Sequence, residues 1–157
     1  MQRITPFLWF DGKAEEAANF YVSIFKDAKI LKVVRYSDAG PGPAGSVMIV
    51  TFTMNGQEFI ALNGGPHFTF TPAISFVINC ETQDEIDYYW AKLSAGGATQ
   101  QCGWLSDRYG LSWQVVPTIL SELQDGDPAK ANHVMQAIMQ MVKLDIAQLK
   151  KAYADAA

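Results

Sequence analysis

Apolar and polar positions recur along this chain with two periods, and the switches between them divide it into elements. Residues 4–10, Ile-Thr-Pro-Phe-Leu-Trp-Phe, make an apolar run of strand length, and Pro6 suits an edge or a strand start. Asp11-Gly12 stops the run. Ala14, Ala17, Ala18, Tyr21 and Phe25 then recur at helical spacing, with Glu15 and Glu16 in the first turn, where the helix dipole favours anions. The alanines allow close approach to a sheet. Lys29 to Tyr36 reads as a second strand. Ser37 to Gly45 carries three Gly and two Pro and reads as a loop. Ser46 to Met54 is a third strand, Asn55-Gly56 a two-residue hairpin, and Gln57 to Leu62 a fourth strand.

The order then begins again. Ala73 to Asn79 has strand character. Thr82-Gln83-Asp84-Glu85 is a capping box, and Ile86, Tyr89, Trp90 and Leu93 make the apolar face of the helix that follows. Gly96-Gly97 ends it. Short strands are expected over Thr99–Cys102 and Gly103–Ser106. Asp107 and Gly110 mark a tight turn, with Asp107 and Arg108 expected as turn and surface charges. In the strand after the turn, Leu111, Trp113 and Val115 point one way and Ser112, Gln114 and Val116 the other. The pattern is a βαβββ unit used twice. After Pro117 it turns helical: Asp127-Pro128 caps one helix, Ala131, Val134, Met135 and Ile138 form its face, and Asp145 caps a last one. The organisation is therefore α+β: module one 1–63, a connection 64–72, module two 73–117 and a helical tail 118–157, together one domain. Met135, Met139 and Met141 read as core or dimer packing.

Composition removes several function classes. The chain has 157 residues, 49% hydrophobic and 18% charged, as expected of a folded globular protein. A net charge of −4 argues against a nucleic-acid partner. No apolar run approaches the roughly 20 residues that span a bilayer, and the first residues lack the apolar core of a signal peptide. A cytoplasmic protein with no membrane partner is the expectation. Cys80 and Cys102 form no CxxC, and with only His67 and His133 they make no usual zinc spacing, so two packed free thiols are expected.

Two stretches carry a resemblance. One runs Ile4-Thr5-Pro6-Phe7-Leu8-Trp9-Phe10-Asp11-Gly12 into Ala14-Glu15-Glu16-Ala17-Ala18-Asn19-Phe20-Tyr21; the other is Gly103 to Gln114. With Asn63-Gly64-Gly65-Pro66 and Pro72 to Phe76, they resemble the PhnB-like branch of the vicinal oxygen chelate (glyoxalase/bleomycin resistance/dioxygenase) superfamily. Members of that branch are often labelled 3-demethylubiquinone-9 3-methyltransferase. The resemblance implies sheets curled around a cavity, a homodimer and, in the superfamily's metalloenzymes, a divalent metal held by His on the first strand of each module and Glu on the last. Here those strands offer Ile4 to Leu8, Phe59 to Leu62 with Glu58 before it and read as out of register, Ala73 and Ser75, and Gln114 stands where the second Glu would be. A neutral carboxamide brings no charge to offset a dication. No metal is expected.

Methyl transfer would need a place for its cofactor, commonly a Gly-rich turn leading into a helix N-terminus. Gly64-Gly65 leads instead to Pro66 and another strand, so no cofactor is expected either. There is no Gly-x-Ser-x-Gly elbow and no triad, and no catalytic residue is assigned. His67 is a general base at the cavity mouth or a surface histidine, and the 37–45 loop is a lid or a plain connection. What remains is an apolar cavity with a few polar anchors. Gln114, Ser75 and Asn63 are the candidate anchors, each otherwise a satisfied core or turn residue, and Trp9 and Trp104 are candidate walls. The expected function is metal-free binding of a small, partly apolar molecule. The alternative is an enzyme of the branch, its labelled methyltransferase activity included.

Overall fold

The computed structural model describes residues 2–156. It contains two compact units, residues 1–70 and 71–157, each with one four-stranded sheet.

In the first unit the order is β1 (Phe7–Phe10), α1 (Ala14–Ile24), β2 (Ala28–Arg35), β3 (Val47–Met54) and β4 (Gln57–Asn63). The sheet runs β1-β4-β3-β2, with β1 parallel to β4 and the other pairs antiparallel. Helix α1 covers one face only. Ala14, Ala17, Ala18 and Tyr21 are fully buried there, and Tyr21 stacks on Phe52, which stacks on Phe59. The alanines act as expected: without bulk on that side, the helix sits close enough for Tyr21 to reach Phe52. The alternation along the strands puts Leu8, Val50 and Ala61 under the helix and Trp9, Ile49, Ile60 and Leu62 on the other face. Strand β1 begins at Phe7, later than its apolar run, because Pro6 has no N–H to donate and offers only its carbonyl, which accepts from Ile60.

The second unit repeats the order with β5 (Ser75–Cys80), α2 (Gln83–Ser94), β6 (Ala98–Thr99), β7 (Trp104–Ser106) and β8 (Ser112–Pro117), in the sheet order β5-β8-β7-β6. Thr82 caps α2 as expected, its Oγ1 accepting from the Glu85 N–H at 3.2 Å. Ile86 and Leu93 of α2, and Trp113 and Val115 of β8, form the buried layer. One expected strand is cut short. After Thr99 the chain enters a 3-10 turn over Gln101–Gly103, with Cys102 at φ 64°. The N–H groups of Cys102 and Gly103 go to the Met141 and Val142 carbonyls at 2.9 and 2.8 Å. The tail thus takes the donors that a longer strand would have used.

That tail comprises α3 (Ile119–Asp125), α4 (Pro128–Met139) and α5 (Ile146–Asp155). It has a small core of Leu123, Val134, Ile138, Met141, Leu144 and Leu149. Asp127 and Asp145 cap α4 and α5 as expected, accepting from the Ala129 and Gln148 N–H groups. Met141 is core, while Met135 and Met139 are exposed. Gln83 clamps the tail to α2: its amide donates to the Leu144 carbonyl at 3.1 Å and accepts from the Ile146 N–H at 2.8 Å. Beside it Lys143 meets Asp87 at 2.7 Å, and the hydrogen bonds from Lys143 and Gln83 hold the Asp87 carboxyl below its ordinary value.

The turn before β8 departs from its surface reading. Arg108 is exposed, donating to the Ala95 carbonyl at 3.2 Å. Asp107 is not a surface charge: it is 3% exposed. Its carboxyl accepts from the Tyr109 and Leu111 N–H groups at 2.9 and 3.1 Å and from the Trp113 indole at 2.9 Å. The indole forces the inward turn, because a buried N–H must have an acceptor. Asp107→Ala removes that acceptor and two turn bonds. It is expected to cost about 3 kcal/mol, read as a lower midpoint in urea unfolding with an unchanged slope.

Candidate functional site

Two regions concentrate polar chemistry, one in each unit. The first is a cavity of about 700 Å³ in the first unit. It opens where β1 and β4 end and β3 begins, beside the start of α1. Asp11, Glu15 and Glu16 line one side, Tyr36 and the 41–43 segment another, and Asn63, Gly64, Gly65 and His67 a third. Both features left open by the sequence, the 37–45 loop and His67, therefore border one cavity. The loop folds back on its own strand: Gly45 N–H bonds the Tyr36 carbonyl, and Gly42 lies so close over the Tyr36 ring that a Cβ would collide with it.

Asn63 borders this cavity, but its side chain works inside the fold. Its Oδ1 accepts from the Ala14 N–H at 2.8 Å and its Nδ2 donates to the Val47 carbonyl at 3.1 Å. Lys13, at the N-cap of α1, makes no side-chain cap bond, so the helix takes its acceptor from a strand 49 residues away. The Tyr36 hydroxyl donates to the Asn63 carbonyl at 2.6 Å. Trp9 stands on the opposite face of the sheet from the Asn63 side chain. Its indole donates to the Gly65 carbonyl at 2.9 Å, its ring meets Phe68 edge-on, and Gly64 presses against it where no Cβ would fit. Trp9 and Asn63 thus hold the Asn63-Gly64-Gly65 turn from two sides.

The second region is the face of the second sheet turned away from α2. Strand pairing sets out its side chains in rows. Ser75, Ser112 and Ser106 are partners across β5, β8 and β7, and Val77, Gln114 and Trp104 are partners in the next row. Asn79 and Val116 pair beyond them. The three candidates from this unit, Ser75, Trp104 and Gln114, are therefore neighbours on one face. Gln114 Nε2 donates diagonally to Ser75 Oγ at 2.9 Å. Ser112 is put on the face of Gln114 by the sequence but is not marked there as an anchor. It is 1% exposed, and its hydroxyl has no hydrogen-bond partner among the described residues. An unmade bond of this kind costs about 1–3 kcal/mol. Its signal in the sequence was the shared parity with Gln114, two residues along the same strand.

The superfamily's metal does not fit these residues. The open face of sheet two offers hydroxyls and a carboxamide; on sheet one Phe7, Trp9, Ile60 and Leu62 are apolar, and the alternation of β4 adds to their face a single carboxylate, Glu58, too few donors for a dication. Among the described residues no group of three or more His, Cys, Asp or Glu is placed to hold a metal ion. Both cysteines are free. Burial pushes the Cys80 thiol up to about 12, with the Glu85 charge adding to it, so Cys80 is no nucleophile at neutral pH. His133, on α4, is exposed and bonded to the Ala152 carbonyl at 2.8 Å.

Residues 2–116 match the model of the 3-demethylubiquinone-9 3-methyltransferase family. The chain belongs to that family. The match takes in both βαβββ repeats and leaves the helical tail outside it. A PhnB protein from Bacillus cereus that carries the same methyltransferase label is 46% identical, with a TM-score of 0.69; the match covers 74% of this chain and all of that one. Protein PA1353 from Pseudomonas aeruginosa is 21% identical over 74% of this chain and 98% of its own, with a TM-score of 0.62. The fosfomycin resistance protein FosX from Listeria monocytogenes is 14% identical over 78% and 97%, with a TM-score of 0.54. The last two show likeness of fold alone. No curated protein matches the chain. The fold is thus that of the glyoxalase/bleomycin resistance/dioxygenase superfamily, in its PhnB-like branch. No helix among the described residues is long and apolar enough to cross a membrane.

Asn63→Ala removes the borrowed cap of α1 and the tie to β3. It is expected to lower stability by about 1–3 kcal/mol, with the loss of amide-exchange protection greatest in the first turn of α1.

Proposed function

We propose that this protein binds a small, partly apolar molecule without a metal ion, on the open face of its second sheet around Gln114. The observation that carries the reading is the cluster there: Gln114 hydrogen-bonded to Ser75, an unpartnered Ser112 beside them, and Val77 and Trp104 on either side of Gln114. A few fixed polar groups among apolar walls are the usual make-up of a small-molecule site. In the first unit, Trp9 and Asn63 are proposed to hold the turn that borders that unit's own cavity. Methyl transfer is the alternative, and its support is the family label. The residues favour binding: Gly64-Gly65 leads into the 64–74 connection rather than into a helix, so no helix N-terminus follows it to receive a cofactor's charged groups. A cytoplasmic setting suits the two free cysteines.

Gln114→Ala separates a ligand anchor from a core residue. The expected outcome is a melting temperature within a few degrees of the parent and a loss of the thermal shift given by a hit from a metabolite screen. At a ligand concentration of about 100 Kd that shift corresponds to roughly 2.7 kcal/mol in the parent protein. Strong destabilisation with ligand affinity retained would assign Gln114 to the core. Tight stoichiometric nickel, zinc or manganese binding lost in Gln114→Ala would reject the metal-free reading, and calorimetric binding of S-adenosylmethionine would favour methyl transfer.

We also propose that the chain pairs as a homodimer. The apolar side chains that no helix covers in sheet one support this, among them Phe7, which is 55% exposed. Light scattering at micromolar concentration is expected to give twice the 17.3 kDa chain mass; a monomer would reject it.

A further inference from the structure

We propose that the site on sheet two selects an uncharged ligand, one whose carbonyl or amide meets the Ser112 hydroxyl and whose flat apolar body lies against Val77 and Trp104. The inference rests on the reading of this face as a binding site and adds the chemical class of what binds.

From Ala98 on β6, through Ser106 and Trp104 on β7 and Ser112, Gln114 and Val116 on β8, to Ser75, Val77 and Asn79 on β5, no side chain is ionisable. The nearest acid in sequence, Asp107, spends its carboxyl on the turn and on the Trp113 indole, and Trp113 lies on the other face. A carboxylate or phosphate placed here would lose water and gain no cation, and an amine would gain no anion. Either is costly at a site this poor in charge. The net charge of −4 works further against an anion. A neutral group gives up little hydration and meets neutral partners.

Ser112 decides which neutral group fits. Its hydroxyl is unpartnered and 1% exposed, between Ser75 and Ser106 in its row. Buried hydroxyls almost always find a partner, and one left open points to an incoming group. The Gln114 amide reaches diagonally from its own row to Ser75 in the row of Ser112. Turning that half-buried side chain away from Ser75 opens the row to a ligand. It also frees the Nε2 donor, so that the Gln114 amide presents a donor beside its Oε1 acceptor, a match for the two halves of a ligand amide. Hydroxyl and carboxamide together therefore read a neutral donor–acceptor pair.

Three probes of one shape and different charge test this on the full chain: benzamide, benzoate and benzamidine, titrated while the Gln114 side-chain amide and the backbone amides of residues 75, 112 and 114 are followed by NMR. Benzamide is expected to shift these signals and to bind at least tenfold more tightly than the other two. Ser112→Ala is expected to weaken benzamide at least fivefold while the melting temperature stays level or rises, because an unsatisfied buried hydroxyl has gone. Benzoate or benzamidine binding as well as benzamide overturns the uncharged class and leaves the site standing. Ser112→Ala with unaltered affinity overturns the role of Ser112. If no probe moves these signals, the class and the site fall together.

Discussion

Each sheet in this protein has its helix on one side only, and most of the structure follows from that constraint. A strand with one face under a helix must alternate, because neighbouring side chains point to opposite faces. In β8 the alternation sends Trp113 and Val115 under α2 and leaves Ser112, Gln114 and Val116 on the open side. In β4 it sends Phe59 and Ala61 under α1 and leaves Ile60 and Leu62 open. A shift of one residue would put Gln114 in the core and Trp113 outside. Register is therefore tightly held, and the side chains of the open faces are placed by the same burial that makes the core.

The two open faces are not alike. That of sheet one is apolar around Trp9, Ile49, Ile60 and Leu62, while that of sheet two carries hydroxyls and a carboxamide. The topology is the same in both, so the difference lies in the residues. The last strand of the second repeat, β8, carries the neutral side chains of Ser112 and Gln114 on its open face. The fold keeps the frame and the side chains change what the frame can do. The tail works on a third part of the molecule. It takes the Cys102 and Gly103 N–H groups, ends β6 early and fastens to α2 through Gln83.

Much of the fold was legible in the chain. The 3.6 and 2.0 periods placed both helices and the strands around them, and Thr82, Asp127 and Asp145 stand where capping chemistry put them. The candidate site was legible in part. Ser75, Trp104 and Gln114 share one face, as the parity of β8 required. Asp107 was misread as a surface charge, because nothing local in the sequence says that the indole six residues on will claim its carboxyl. The side-chain role of Asn63 was equally hidden. The missing cap of α1 is visible at Lys13, but the replacement comes from 49 residues away.

The sequence by itself determined the periods, the turns, the repeat and the absence of metal-ligand spacing, since each depends on residues close together in the chain. Tertiary structure decided the partners. It chose which carbonyls the tail would offer to Cys102 and Gly103, which strand would cap α1, and which serine would be left without a hydrogen bond. The physical reason is that a buried polar group takes whatever partner packing brings within about 3 Å. Packing joins residues whose separation along the chain carries no signal, and so Ser112, marked in the sequence only by its parity with Gln114, became the most informative side chain of the proposed site.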